Sequence, residues 1–128
     1  NRNLVELPEN VSVFDWVPPL EVLQAASIAV IHGGLGSLKE CIYFGVPMLI
    51  VPMGRDQGDN ARRVEHHQIG CSITFDDLTE ETLAEKLINL SNHSEKQKNL
   101  HDMQHAFHEM EEQKNEVKLV QKLIGGTT

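Results

Sequence analysis

The stretch that decides the fold runs from Ser27 to Pro52 and reads S-I-A-V-I-H-G-G-L-G-S-L-K-E-C-I-Y-F-G-V-P-M-L-I-V-P. Ile28–Ile31 is an apolar run of strand type, and Met48–Val51, enclosed by Pro47 and Pro52, is a second. Between them a glycine cluster, Gly33-Gly34-Leu35-Gly36, opens a helical stretch that passes through Phe44 and stops at Gly45. Strands that are apolar throughout belong to a sheet covered on both faces, and a strand–helix–strand order makes that sheet parallel.

Working outward, the same alternation continues. Val11–Phe14 reads as a short strand, and Pro18-Pro19 opens a helix over Leu20–Ala26. Asp56–Gln68 reads as helix and Cys71–Phe75 as strand. Asp77-Leu78-Thr79 then leads into a helix carrying Leu83, Leu87 and Leu90 on one face, which ends near Ser91-Asn92. The fold class expected is α/β, a doubly wound parallel sheet, with a C-terminal helical segment. The boundary falls at residue 92: a ligand-binding α/β domain over 1–92, and a helical segment over 93–128 packed on it. His93 to Ile124 can be one long helix or two. Leu100, Met103, Phe107 and Met110 recur three and four residues apart, and Val117, Val120 and Ile124 resume the spacing. Such a stripe packs on the domain or docks another chain. The start Asn1-Arg2-Asn3, with no opening strand, reads as a cut inside a larger protein whose first strand lies upstream.

Composition removes several classes. The 128 residues are 40% hydrophobic and 23% charged, an ordinary globular balance. A net charge of −8 disfavours blanket binding to nucleic acid or anionic lipid. The longest apolar stretch, Val46 to Met53, falls far short of the roughly 20 residues of a membrane span. Cys41 and Cys71 sit in apolar contexts and form no ligand pair, which suits a reduced, cytoplasmic setting. His66-His67 and the helically spaced His101, His105 and His108 invite a metal reading, but histidines alone at that spacing read as a solvated face. No metal and no cofactor is expected.

The chemistry concentrates between Trp16 and Asn60. His32 to Ser37 lie where a parallel strand ends and a helix begins, at the edge of the sheet where open α/β folds bind ligands. The first N–H groups of that helix lack intrahelical partners, and its dipole favours an anion there. Ser37 adds a hydroxyl and His32 an imidazole N–H, so the turn can seat a phosphate or diphosphate. It is neither a P-loop nor the dinucleotide fingerprint, since no Gly-Lys-Ser/Thr follows and position 39 is Lys39. Glu40 shares a helix face with Ser37 and can accept two hydroxyls, as a ribose diol offers. Asp56, Gln57 and Asn60 offer the carboxylate and amide groups that suit a polyol.

At these residues the chain resembles a family. The run F-D-W-V-P-P…H-G-G-L-G-S-L-K-E…G-V-P-M-L-I-V-P…D-Q-x-x-N-A, continuous from Phe14 to Ala61, is similar to the signature of family 1 UDP-dependent glycosyltransferases, which have the two-domain GT-B fold. The H-x-G-x-G-S-x-x-E form, with Gly36, resembles bacterial natural-product and macrolide glycosyltransferases. The resemblance implies a Rossmann-like C-terminal half of a GT-B fold that binds the UDP-sugar donor of an inverting hexosyltransferase. It implies that Trp16 stacks on uracil, where the residue could equally be core. His32, Gly34, Gly36 and Ser37 would hold the diphosphate, Glu40 the ribose hydroxyls, and Asp56 and Gln57 the transferred sugar. Asn60 braces that loop or touches the donor. The acceptor, a small molecule or lipid, and the catalytic base belong to an N-terminal domain absent from this chain, so no catalytic residue is assigned and the chain alone is expected to be inactive. A free-standing donor-binding subunit, a non-enzymatic sugar-nucleotide module and a UDP-GlcNAc epimerase are the alternatives.

Overall fold

The computed structural model describes residues 6–124, with the side chains at 55, 115–122 and 124 outside the description. Three short parallel strands, β1 (Ala29–Ile31), β2 (Met48–Ile50) and β3 (Gly70–Ser72), lie in the order β1-β2-β3. Val30 pairs with Leu49, and Leu49 with Cys71. Helix α1 (Pro19–Ala25) precedes β1, α2 (Leu35–Phe44) joins β1 to β2, and α3 (Arg55–His67) joins β2 to β3. Helices α4 (Glu80–Asn92) and α5 (Ser94–Ile124) follow, so the segment from residue 94 is one helix.

The central strand explains why both faces of the sheet are dry. Met48 and Ile50 point into a cluster with Leu38, Cys41 and Ile42 of α2 and Ala61 and Val64 of α3. Leu49 and Val51 point the other way, against Cys71, Ile73 and Leu90 of α4. All three β2 residues are 0% exposed. Both crossover helices thus cover one face, and α4 covers the other. Thr79 and Thr82 start α4 with a reciprocal capping box. Among the described residues no helix is long and apolar enough to cross a membrane.

Helix α5 lies along α2 and ties down chain ends at the amino edge of the sheet. Leu100 is buried in the α2/α3 cluster, and Met103 and Phe107 pack against it. The Tyr43 carbonyl, in the last turn of α2, accepts from Gln104 Nε2 at 3.1 Å and from His108 Nε2 at 2.8 Å. Asn99 Nδ2 donates to the Gln68 carbonyl at the end of α3. Last-turn carbonyls have no intrahelical donor, so these side chains supply it. The opposite ends of α2 and α3 are left open at the carboxyl edge of the strands.

Two sequence expectations fail. Val11–Phe14 is irregular, and Val11, Val13 and Phe14 are 43–68% exposed. A strand needs a neighbour to pair with, and none of the described strands runs beside this segment. The strand expected over Cys71–Phe75 ends at Ser72, after which Thr74 caps a 3₁₀ turn at Phe75–Asp77 and Phe75 faces solvent. The side chains of Val117, Val120 and Ile124, and the start Asn1–Asn3, lie outside the described residues.

Candidate functional site

The amino end of α2 is built by a glycine that no other residue can replace cheaply. Gly33 has φ +95°, and a Cβ there would sit 2.7 Å from Ile50 Cγ2 and 3.3 Å from the Gln57 carbonyl oxygen. The chain therefore turns tightly against the first turn of α3 and enters α2 with Gly34 as N-cap, which has no side chain to satisfy the helix. The N–H groups of Leu35, Gly36 and Ser37 have no intrahelical acceptor. Gly36 and Ser37 are exposed, and a Cβ on Gly34 or Gly36 would meet nothing within 4 Å.

His32 precedes this turn, and its Nδ1 lies 3.1 Å from the Val51 carbonyl oxygen. A carbonyl only accepts, so Nδ1 carries the proton. In the neutral ring Nε2 is then an acceptor, and it donates only in the imidazolium. This sharpens the imidazole donor expected from the sequence: a second donated bond from His32 requires a second proton.

On the α3 side, Gly54 caps without a side chain, and Gln57 Oε1 accepts from the Met53 N–H at 2.8 Å. The Gln57 side-chain oxygen is thereby engaged, and its NH₂ remains a donor. Asn60 is buried, 7% exposed, and its Nδ2 donates to the Gly33 carbonyl at 2.8 Å. A cavity of about 430 Å³ lies between the walls, lined by Gly34 and Leu35 of α2 and by Asp56, Gln57, Asp59, Asn60 and Arg63 of α3. Asp59 pairs with Arg62, and among the described residues Arg63 is the cation that lines this cavity. Arg63 was missed in the sequence, although positions 56, 59, 60 and 63 share one helix face.

The remaining expected residues lie on the other flank of α2. Glu40, one turn beyond Ser37, is half-buried and lines a second, largely apolar cavity of about 400 Å³ with Leu20, Tyr43, Phe44, Phe107 and Met110. Trp16, three residues ahead of α1, is 75% exposed and so is not a core residue. Gly34, Asp56 and Gln57 are brought to one cavity and Glu40 to the other; Trp16, His32, Gly36 and Ser37 line neither.

The histidines find other uses. His108 stacks on Tyr43 with ring centroids 4.2 Å apart, His105 lies 3.1 Å from Glu109, and His66 meets His67 edge-on. Among the described residues no three His, Cys, Asp or Glu side chains are grouped to hold a metal ion. Both cysteines are buried free thiols. Burial pushes Cys41 up to about 11, with the Glu40 charge adding to the rise. Burial likewise raises Cys71.

Comparison with known proteins places this geometry in a family. Residues 1–124 match the family described as erythromycin biosynthesis protein CIII-like, C-terminal domain. YojK of Bacillus subtilis (strain 168), named as an uncharacterized UDP-glucosyltransferase, is 39% identical over 100 residues, which are 76% of this chain and 25% of YojK. The glycosyltransferase VinC, solved in complex with DTDP, is 31% identical with a TM-score of 0.74, over 80% of this chain and 26% of VinC. The calicheamicin glycosyltransferase CalG4 is 25% identical with a TM-score of 0.81, over 95% of this chain and 33% of CalG4. The chain thus spans about a quarter to a third of the length of these relatives. Its parallel sheet and helices have the architecture of a GT-B glycosyltransferase C-terminal domain, and the chain belongs to the erythromycin biosynthesis protein CIII-like C-terminal domain family.

Proposed function

We propose that this chain is the donor-binding domain of an inverting glycosyltransferase, which binds a nucleoside diphosphate sugar with its diphosphate on the amino end of α2. The observation that carries this reading is the α2 terminus that no side chain caps, flanked on one side by Glu40 and on the other by the cavity of Asp56, Gln57 and Arg63. A ligand with its anion in the middle and a polyol at each end matches that order. The α2 dipole and the N–H groups of Leu35, Gly36 and Ser37 suit the diphosphate. Glu40 suits the ribose diol, exposed Trp16 suits the base, and Asp56 with the Gln57 NH₂ suits the sugar hydroxyls. The relatives' names support the class: one is a UDP-glucosyltransferase, and another was solved with a nucleoside diphosphate.

In the reaction an acceptor hydroxyl attacks the anomeric carbon and its proton passes to a base outside this chain. The bond from that carbon to the diphosphate oxygen breaks, with the electron pair leaving on the diphosphate. Charge grows there as the bond breaks, so donors aimed at it act most strongly in the transition state. The acceptor is a small molecule or lipid held by the part of the protein not contained in this chain.

Titration of the 128-residue chain with UDP, followed by amide NMR, tests the reading. Amides of Gly33 to Ser37 move first if it is right. Shifts confined to α5, or none at millimolar UDP, would refute it.

A further inference from the structure

Asn60 links the two walls of the site, and the inference drawn from it rests on the donor-site reading above. Among the described residues it is the sole polar or charged residue that is buried, next in sequence to Ala61 of the core. It also borders the cavity between α2 and α3, a place that other polar side chains could fill. What the amide adds is direction: its Nδ2 reaches 27 residues back along the chain to one carbonyl, that of Gly33.

That carbonyl belongs to the peptide unit whose N–H is carried by Gly34, the N-cap of α2. A trans peptide is planar, with C=O and N–H antiparallel, so holding the oxygen also holds the N–H on the opposite side. This peptide is flanked by glycine at both ends, at Gly33 with φ +95° and Gly34 with φ −62°. Glycine tolerates both signs of φ, so the plane can rotate by half a turn without a Cβ to oppose it. Such a flip would put a carbonyl oxygen in place of the Gly34 N–H, one residue ahead of the N–H groups assigned above to the diphosphate.

We propose that Asn60 is a positioning residue that locks the Gly33–Gly34 peptide in the orientation that offers N–H, rather than C=O, to a bound diphosphate. It does so without touching the phosphate itself. The lock also makes the spacing between the α2 terminus and the α3 cavity a fixed distance, since Gly33 packs against the Gln57 backbone.

The test compares ligands with and without the anion. Asn60→Leu keeps the volume and removes the donor. Binding of UDP, inorganic pyrophosphate and uridine to the 128-residue chain is measured by calorimetry, and the Gly34 amide is followed by NMR relaxation dispersion. Loss of one charge-assisted contact predicts UDP and pyrophosphate weakened about tenfold or more. Uridine binding should stay within about twofold of the parent, a split that general loosening of the fold would not produce. The free variant should show exchange at Gly34 that the parent lacks. If Asn60→Leu does not fold by circular dichroism, Asn60→Ser, whose shorter hydroxyl leaves Gly33 unheld, carries the same expectations. Equal loss of UDP and uridine, or UDP binding unchanged, overturns the positioning role while leaving the donor site standing. If neither UDP nor pyrophosphate binds the parent chain, the donor-site reading falls and this inference falls with it.

Discussion

Gly36→Ala separates what the helix wants from what a ligand wants. Gly36 is the second residue of α2, its φ is not positive, and a Cβ there would meet nothing within 4 Å. Nothing in the fold asks for glycine at this position. Alanine in place of glycine within a helix is worth roughly 0.5–1 kcal/mol, and the first turn points to the lower end of that range. For a domain of this size the melting temperature should rise by about 2–4 °C. Binding should move the other way. The added methyl enters open space in the turn to which the diphosphate is assigned above, and a ligand seated there would have to stand further off. A ligand pushed off one charge-assisted bond loses about 1.5–3 kcal/mol, roughly tenfold to a hundredfold in affinity. Scanning calorimetry and UDP titration on the same preparation read both effects. A variant that is more stable and binds UDP as well as the parent would refute the assignment of this turn to the anion. A variant that is less stable would refute the backbone argument.

Gly33→Ala should behave in the opposite sense. The left-handed φ costs about 1–2 kcal/mol and the crowding against Ile50 about 1–3 more, so urea unfolding should register a loss of roughly 2–5 kcal/mol, and a loss below about 1 kcal/mol would contradict the geometry. Gln57→Glu keeps the oxygen that accepts from Met53 but removes the donor facing the cavity, so the affinity gained by UDP-glucose over UDP should shrink; an unchanged gain would place the sugar elsewhere. Cys41, raised from 9.0 to about 11 by burial, contributes stability that is complete below pH 9 and lost as pH rises towards 11, since the unfolded thiol ionises first. Urea midpoints should fall over that interval, and less steeply in Cys41→Ala.

The parts of the fold legible in the sequence are those set by chemistry within one element. The run enclosed by Pro47 and Pro52 can only be a strand dry on both faces, and β2 is that strand. The three- and four-residue spacing of Leu100, Met103 and Phe107 marks the face of α5 that packs on the core. Val11–Phe14 has the same composition as a strand yet makes none, because pairing depends on a neighbour that composition does not reveal. The reach of Gln104 and His108 to the Tyr43 carbonyl, 61 and 65 residues away, was equally invisible. A backbone oxygen is the same in every residue and leaves no mark in the sequence.

The candidate site divides along the same line, and the division has chemical consequences. That a glycine turn opens α2 is local, so the uncapped helix terminus at Gly34 to Ser37 could be read directly from the sequence. What each polar group offers a ligand depends on which of its atoms the fold already occupies. Three long-range or cross-turn bonds settle this: His32 Nδ1 to Val51, the Met53 N–H to Gln57 Oε1, and Asn60 Nδ2 to Gly33. The first turns a neutral histidine from a donor into an acceptor at its free nitrogen. The second makes an ambivalent amide a donor, and the third fixes a peptide that two glycines would otherwise leave free to invert. Residue types set which ligands are conceivable, and the sign of each contact is written by the bonds the protein makes with itself.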